Sequence, residues 1–260
     1  MHKRFSASKL RIKKECDLKF HYRYNLKVDE IYNERLKKAD HFAWGQYVHK
    51  IFEDGYQLKT FEELKELAKS LEKNYKFKKS RLKDLDNYLR NFLILNSNLY
   101  KTVAVEDEFS IEIKMPCAEK PVNVIGYIDR VVQGINGRYL VLDYKTSKTE
   151  KTRLDLGKDE QMKMYAIACS IKYNCKVDEV LVGHFYPKSG NTVVVRYPHF
   201  TISTFKGEVV RTVAEANNQL IFKPNRNKFC NWCEFKNICP LFGTPQFINE
   251  ELKKFPTSKP

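Results

Sequence analysis

The sequence contains no apolar run close to the roughly 18 to 20 residues that are needed to span a bilayer. No hydrophobic signal region follows the N-terminal Met1–Phe5, so we expect a cytosolic protein that makes no contact with membranes. Low-complexity tracts, internal repeats and a Walker A phosphate loop are also lacking. The absence of a phosphate loop excludes an ATP-driven motor within this chain.

Acidic residues are in the minority: 47 Lys and Arg against 32 Asp and Glu give a formal net charge of +15. This excess favours a polyanionic partner, nucleic acid first of all, because binding to phosphates releases counterions. A basic protein without such a partner, or one that binds acidic membrane surfaces, remains an alternative. The 260 residues suit one domain with an appended helical part. In a cytosolic protein the seven cysteines are interpreted as thiols and metal ligands rather than as disulfides.

A β-hairpin is the clearest local prediction. Val122 to Val132 is rich in β-branched residues, Asn136-Gly137 is a favoured hairpin turn, and Tyr139 to Tyr144 alternates again. The other predicted elements are helices near residues 9–24, 42–57, 60–73, 81–97, 159–173 and 203–220, and strands from about 103, at 180–187 and at 192–197. This order predicts an α/β fold with a mixed central sheet flanked by helices.

The hairpin carries a candidate metal site. Asp143 and Lys145 alternate on one strand and therefore share a face, while Asp129 comes from the neighbouring strand. Two carboxylates and the backbone carbonyl of Tyr144 are hard oxygen ligands that suit Mg²⁺ or Mn²⁺ and leave room for a phosphate and a water. Lys145 would orient or deprotonate the attacking water, or stabilise the developing charge. The Asp-x-Lys tripeptide is common, and an ordinary hairpin with solvated charges is the alternative.

Four short motifs occur in a fixed order along the chain: Gly45-x-x-x-His49, Gly126-x-x-Asp129-Arg130, Asp143-Tyr144-Lys145 and Gln161-x-x-x-Tyr165. Together they resemble the RecB-like branch of the PD-(D/E)XK nuclease superfamily. The resemblance implies a restriction-endonuclease-like core in which His49 is a third metal ligand or a phosphate contact. It also implies that Gln161 and Tyr165 position the DNA strand or the attacking water. Taken alone, a histidine on an amphipathic helix is more often a packed or surface residue.

Four cysteines resemble the iron-sulfur signature of the CRISPR-associated and helicase-nuclease members of that branch: Cys16, Cys230, Cys233 and Cys239. Four soft ligands suit either zinc or a 4Fe-4S cluster, and the resemblance favours the cluster. Its expected role is structural, because a link from Cys16 to Cys230 closes a very long loop. By the loop-entropy reasoning used for disulfides, that constraint could contribute roughly 5 kcal/mol.

Candidate DNA-binding residues lie in basic stretches and in the second motif: Lys9, Arg11, Lys13, Lys79, Arg81 and Arg130. Aromatic residues are interleaved with the cations near Lys79, a mixture that suits single-stranded DNA. Solvated helix faces are the alternative for both basic stretches. Glu108, on the strand before the hairpin, is a weaker candidate for an additional acidic ligand.

The sequence is therefore divided into an N-terminal helical part (1–100) with Cys16 and His49, a nuclease core (101–222), a cysteine region (223–243) packed on the first helix, and a tail (244–260). We expect a metal-dependent DNA exonuclease that acts on single-stranded or end-frayed DNA. A structure-selective endonuclease, the nuclease subunit of a recombination or CRISPR-adaptation assembly, and an inactive DNA-binding module are the alternatives.

Overall fold

The computed structural model describes residues 2–28, 40–116 and 120–243, so the predicted tail at 244–260 lies outside the described residues. The helices are α1 (Ala7–Glu15), α2 (Asp17–Phe20), α3 (Asp40–Asp54), α4 (Phe61–Glu72), α5 (Leu85–Asn98), α6 (Arg153–Lys158), α7 (Glu160–Lys172) and α8 (His199–Asn218). The strands are β1 (Arg4–Phe5), β2 (Lys101–Ile113), β3 (Val122–Gln133), β4 (Tyr139–Tyr144), β5 (Leu181–Tyr186) and β6 (Asn191–Arg196). Shorter helical turns cover His21–Asn25, Lys79–Asp84, Val177–Glu179, Cys230–Trp232 and Lys236–Ile238.

The six strands form one mixed sheet. Five of them follow the order β1-β3-β4-β5-β6, and β2 pairs with the edge of β3 that faces away from β1 and β4. Strand β3 is antiparallel to both β2 and β4, and β5 is antiparallel to β6. Strand β4 runs parallel to β5, and the connection between them contains α6 and α7. The predicted mixed sheet flanked by helices is confirmed, and it is consistent with a restriction-endonuclease-like core.

Helices cover both faces of the sheet, and strand alternation divides β4 between them. Val141 faces the core formed with α1, α7 and α8, whereas Leu142 and Tyr144 face the core formed with α3, α4 and α5. The aromatic rings of Phe52 and Phe92 stack in the second core at a centroid distance of 4.1 Å. Each large side chain of this kind contributes about 1.5–3 kcal/mol on burial. The sheet between these two cores is therefore a rigid platform.

The predicted hairpin is present, and its turn is longer than two residues. Gln133 pairs with Tyr139, and the N–H of Gly134 donates to the carbonyl of Arg138 at 2.8 Å. Gly137 has φ of +75°, a value that glycine adopts at little cost. The connection is thus a three-residue loop with glycine in the left-handed position.

The first predicted helix is interrupted at Cys16. Helix α1 begins at its cap Ser6 and ends at Glu15, and Cys16 is extended before α2 begins. Strand β1 pairs with β3, and α1 packs in the same core as α7 and α8. Strand β1 and helix α1 therefore pack with elements that follow residue 100. Among the described residues, no helix is both long enough and apolar enough to cross a membrane.

Candidate active site

Three side chains from separate elements meet beside the hairpin. His49 comes from α3, Glu106 from β2 and Asp129 from β3, and one ligand atom of each lies within 4.8 Å of the others. The Nδ1 atom of His49 is 3.4 Å from Oδ2 of Asp129. His49 follows the fully buried Val48 on α3, so packing of this helix against the sheet fixes where the imidazole stands. An imidazole with two carboxylates is a donor set that a divalent cation can use.

Glu106 is the acidic residue that the sequence interpretation missed. Its neighbours Val105 and Asp107 pair with Arg130 and Ile128, so Glu106 lies directly across from Asp129. Its backbone has φ of +45°, an uncommon value for a residue with a side chain, and strain of this kind is often found at functional sites. Glu108, the weaker candidate, lies two residues further along the strand and is exposed beside Tyr127. The register of β2 on β3 would have been needed to choose between them.

Asp143 and Lys145 lie together at the end of β4, as the alternation predicts. Asp143 is 2% exposed, and its Oδ2 atom is 2.5 Å from Nζ of Lys145. Asp129 is tied to the same strand, because its Oδ2 atom accepts the backbone N–H of Tyr144 at 2.6 Å. The structure therefore brings Asp129, Asp143 and Lys145 into one cluster, in which both carboxylates are buried and the lysine is half-buried.

Helix α7 adds the two predicted polar residues to this cluster. The helix begins after Asp159, whose carboxylate accepts the N–H groups of Gln161 and Met162. Nε2 of Gln161 donates to Asp143 Oδ1 at 3.2 Å and to the hydroxyl of Tyr165 at 2.7 Å. Gln161 thus holds the Asp143 carboxylate from the side opposite Lys145.

The charges of this cluster disturb one another strongly. Burial and the negative charge of Asp129 raise the pKa of Asp143 to about 6. Burial alone would lower the pKa of His49, but the Asp129 charge and hydrogen bond outweigh it and raise that pKa to about 9. Burial and then Asp129 also raise the pKa of Glu106. Three crowded acidic groups are the electrostatic condition that a bound cation relieves, so the residues present fit a divalent metal.

A groove of about 840 Å³ leads to this cluster. Its floor includes Ile125 and Gly126, and its walls carry residues of α1, α6 and α7. The floor is open because one edge of β3 is only partly paired. Strand β1 ends at Phe5, and β4 pairs with the same edge only from Arg130 onward. Within the described chain, no strand covers that edge in the middle of β3. Cations of the walls are Arg11, Lys145, Lys151 and Lys158.

A family model described as the PD-(D/E)XK nuclease superfamily matches residues 4–240. The chain belongs to this superfamily. The solved structure titled "Crystal structure of SSO0001" is 17% identical with a TM-score of 0.51, over 94% of this chain and 89% of that one. At that identity the likeness shows the fold alone. No curated protein matches the chain.

Membership of the PD-(D/E)XK superfamily means that the chain is a nuclease, and PD-(D/E)XK nucleases use divalent metals. The cluster of His49, Glu106 and Asp129, with Asp143 and Lys145 beside it, is the candidate active site of this nuclease. This site lies at the end of the groove, since Lys145 and Gln161 belong to both.

Two of the predicted DNA-binding residues of this PD-(D/E)XK chain are buried instead. Arg130 is 3% exposed, and its guanidinium donates to Thr102 Oγ1 at 2.6 Å and to the side chain of Asn96. Lys13 is 7% exposed and is paired with Asp17. Both side chains have protein partners away from solvent in this structure, and contact of either with DNA stays a prediction. The motif and helix positions gave no signal of this burial.

The other predicted basic residues lie nearer the surface on two separate sides. Arg11 lines the groove next to Glu15. The amine of Lys9 donates to the Arg4 carbonyl at 3.1 Å, and burial lowers its pKa to about 8. Lys79 pairs with Glu72, and Arg81 is 2.5 Å from Asp40, on the α3–α5 side of the sheet. Of these predicted residues, Arg11 is the one that lines the groove.

The four predicted iron-sulfur cysteines of this PD-(D/E)XK nuclease line one small pocket. A backbone N–H bonds to each sulfur: from Asn225 to Cys16, Asn227 to Cys230, Phe235 to Cys233 and Leu241 to Cys239. Burial raises the pKa of the thiols of Cys233 and Cys239. The pocket packs on an apolar cluster that includes Leu18, Tyr22, Phe235 and Ile238. A half-buried set of four sulfurs with N–H donors fits a metal cofactor that binds thiolates.

Proposed function

We propose that this PD-(D/E)XK nuclease is a metal-dependent DNA exonuclease that acts on single-stranded or end-frayed DNA. The observation that carries the proposal is the meeting of His49, Glu106 and Asp129 beside the Asp143–Lys145 pair, at the end of the groove. Mg²⁺ or Mn²⁺ would be held by these carboxylates and by His49, with Asp143 and the Tyr144 carbonyl as further ligands. Such a cation would polarise the phosphodiester and lower the pKa of the attacking water.

Lys145 is assigned the role of stabilising negative charge. Burial acts against its protonation, but the adjacent Asp143 outweighs burial and raises the pKa of the amine. The amine is therefore protonated at neutral pH, which favours donation to a phosphate oxygen over removal of a proton from water. Gln161 keeps Asp143 oriented toward this amine, and Tyr165 in turn accepts from Gln161.

The lining of the groove supports a single strand as substrate. Arg11, Lys151 and Lys158 supply cations for phosphates, and Ile125 and Met164 supply apolar surface for bases. The carboxylates of Asp155, Asp159 and Glu160 also line the groove, and Asp159 pairs with Lys151. Cationic walls with apolar contacts are the usual means of binding a single strand without base-pair readout. Cytoplasmic location and partner proteins of a recombination or CRISPR-adaptation assembly stay predictions.

We also assign a structural 4Fe-4S cluster, as in the RecB-like group, to Cys16, Cys230, Cys233 and Cys239. The four sulfurs line one pocket, and backbone N–H groups of Asn225 and Asn227 donate to Cys16 and Cys230, as they would to thiolate ligands. The cysteine spacing lacks the second C-x-x-C pair or the paired histidines of common structural zinc sites, which supports the cluster over zinc. A cluster at this place would link α1 and α2 to the C-terminal region.

The test is anaerobic purification with an absorption spectrum and an iron count, followed by digestion of end-labelled oligonucleotides with and without Mn²⁺. We expect iron-sulfur absorption, about four irons per chain, and stepwise shortening of linear strands with circular strands left intact. Cleavage of circular single strands would replace the exonuclease by an endonuclease. Absence of metal-dependent cleavage in iron-loaded protein would leave only a DNA-binding module.

The cleavage has to be assigned to this site by matched variants. Lys145→Ala should lose activity, whereas Lys188→Ala, which removes an exposed lysine in the turn after β5 that faces Asp84, should keep it. Equal activity in the two variants would point to a contaminating nuclease.

A further inference from the structure

A buried histidine lies beside the catalytic strand and has no role in the function described above. His184 is 1% exposed and stands on β5 in register with Asp143 of β4. Registered residues of parallel neighbours project to the same face, so the side chains of His184 and Asp143 are neighbours. Lys145 and Tyr186 follow two residues further along their strands, on that same face.

Hydrogen bonds fix the tautomer of His184. The hydroxyl oxygen of Tyr186 accepts the backbone N–H of Lys151 at 2.8 Å and lies 3.2 Å from His184 Nδ1. Among the described residues these are the partners of that hydroxyl, so its own hydrogen is donated to Nδ1. Burial, with the nearby Lys145 charge, lowers the pKa of His184 to about 4, and the ring is neutral. A neutral imidazole that accepts at Nδ1 carries its proton on Nε2.

The Nε2–H group of His184 is a buried donor, and no protein atom of the described chain accepts from it. Buried donors of this kind are costly and are normally satisfied by an ordered water. The nearest charged neighbour in the register is Asp143, whose Oδ2 atom contacts Lys145 and has a second lone pair to offer.

We propose that His184 is a positioning residue of the nuclease site: its Nε2–H donates to a buried water that in turn donates to Asp143 Oδ2. Lys145 and this water then hold Oδ2 from two directions, while Gln161 holds Oδ1. The relay of Lys151 N–H, Tyr186 hydroxyl and His184 also joins the segment after β4 to β5. The inference rests on the proposed nuclease function, because only catalysis would require this carboxylate to be so well fixed.

The experiment combines kinetics with a spectroscopic measurement. His184→Leu removes the donor and should lower kcat roughly 10- to 100-fold with KM changed less than about twofold, as for other supports of metal-site carboxylates. His184→Gln keeps an N–H donor and should recover most of that loss. His199→Leu, the same change at an exposed histidine, should leave kcat unchanged. Circular dichroism of each variant checks that it is folded.

The tautomer can be measured without any activity. The ¹⁵N shifts of His184 in the wild-type protein should show a protonated Nε2 and an unprotonated Nδ1, and Tyr186→Phe should release the ring to a mixture of tautomers. A proton on Nδ1, or equal kcat in wild type and folded His184→Leu, would overturn the proposal. If the wild type does not cleave DNA, the proposed function fails separately, and the tautomer is still measured.

Discussion

The active site and the cysteine pocket are held together in different ways. The active site is built on β2, β3, β4, α3 and α7, and apolar cores lie on both faces of the sheet that carries it. The cysteine pocket is built on short helical turns after residue 218, with Phe235 and Ile238 as its buried apolar side chains from that stretch. Packing positions the first set of side chains, and little packing is available to position the second.

This difference implies opposite consequences when the bound group is removed. Without its cation, the active site keeps its framework, because strands and helices hold His49, Asp129 and Asp143 whether or not metal is present. Without a cofactor, residues 219–243 are held against α2 by one small apolar cluster and by polar contacts such as the Leu18 N–H to the Lys223 carbonyl, rather than by the two large cores that hold the active site. The nuclease is thus expected to separate a region where metal serves chemistry from a region where metal serves folding.

The largest effect is expected from loss of the cysteine link. Cys16→Ser should abolish cluster assembly and cost roughly 5 kcal/mol, because the long loop to Cys230 is no longer closed. The midpoint of thermal unfolding should fall by roughly 10–20 °C in anaerobic calorimetry. Cys175→Ser, outside the pocket, is the matched control and should keep its iron. An iron-free Cys16→Ser protein as stable as the wild type would show that packing alone holds this region.

Lys145→Ala should lower activity strongly and stability only slightly, in contrast to Cys16→Ser. Cleavage should fall by at least about 10³-fold, because a preorganised positive charge near the phosphate is removed. The midpoint of unfolding should move by only a few degrees, since Lys145 lies at the strand end and α7 still holds Asp143. Filter binding of a labelled single strand in Ca²⁺ should remain within a few-fold of the wild type. Loss of folding in this variant would mean that the active site also depends on its charges for structure.

Within the candidate active site, the sequence predicts the local placement of residues but not the register between strands, for physical reasons. Asp143 and Lys145 share a face because strand alternation is local, and the Asn136-Gly137 turn brings β3 back beside β4. The choice of Glu106 over Glu108 depends on the register of two strands whose pairing shifts between Thr102 and Ala104. No local pattern contains that shift.

Two further features of the structure also depend on long-range contacts rather than on local sequence patterns. The sequence pattern is helical through Cys16, but α1 ends at Glu15 and Cys16 is extended. The sulfur of Cys16 accepts the backbone N–H of Asn225, more than 200 residues later. The burial of Arg130 depends on Asn96 and Thr102 from α5 and β2. Both are decided by contacts between distant parts of the chain, which composition and spacing do not report.

Glu106→Gln tests whether repulsion between the carboxylates of Glu106 and Asp129 destabilises the metal-free protein. Burial and Asp129 raise the pKa of Glu106, so its ionised form destabilises the metal-free fold above that pKa, and the variant escapes this cost. We expect the metal-free variant to unfold roughly 1–3 °C higher at pH 8 and at the wild-type temperature near pH 4. Its affinity for Mn²⁺ should fall about tenfold or more.

Glu108→Gln provides the matched control for this prediction, because Glu108 is on the same strand and exposed. Neither its melting temperature nor its affinity for Mn²⁺ should change. If Glu108→Gln weakened Mn²⁺ binding and Glu106→Gln did not, the ligand set would have to be redrawn around the residue that the sequence first suggested.

The smallest effect is a proton count, and it tests whether His49 is a ligand of the cation proposed for the active site. At pH 7 His49 is protonated, because Asp129 raises its pKa to about 9, and a ligand imidazole must be neutral. Binding of Mn²⁺ should therefore release about one proton at pH 7, and the apparent affinity should rise with pH until it levels off above about 9. Calorimetry in two buffers of different ionisation enthalpy measures the release. His49→Asn should bind Mn²⁺ more weakly and release close to none, and an unchanged release in that variant would remove His49 from the site.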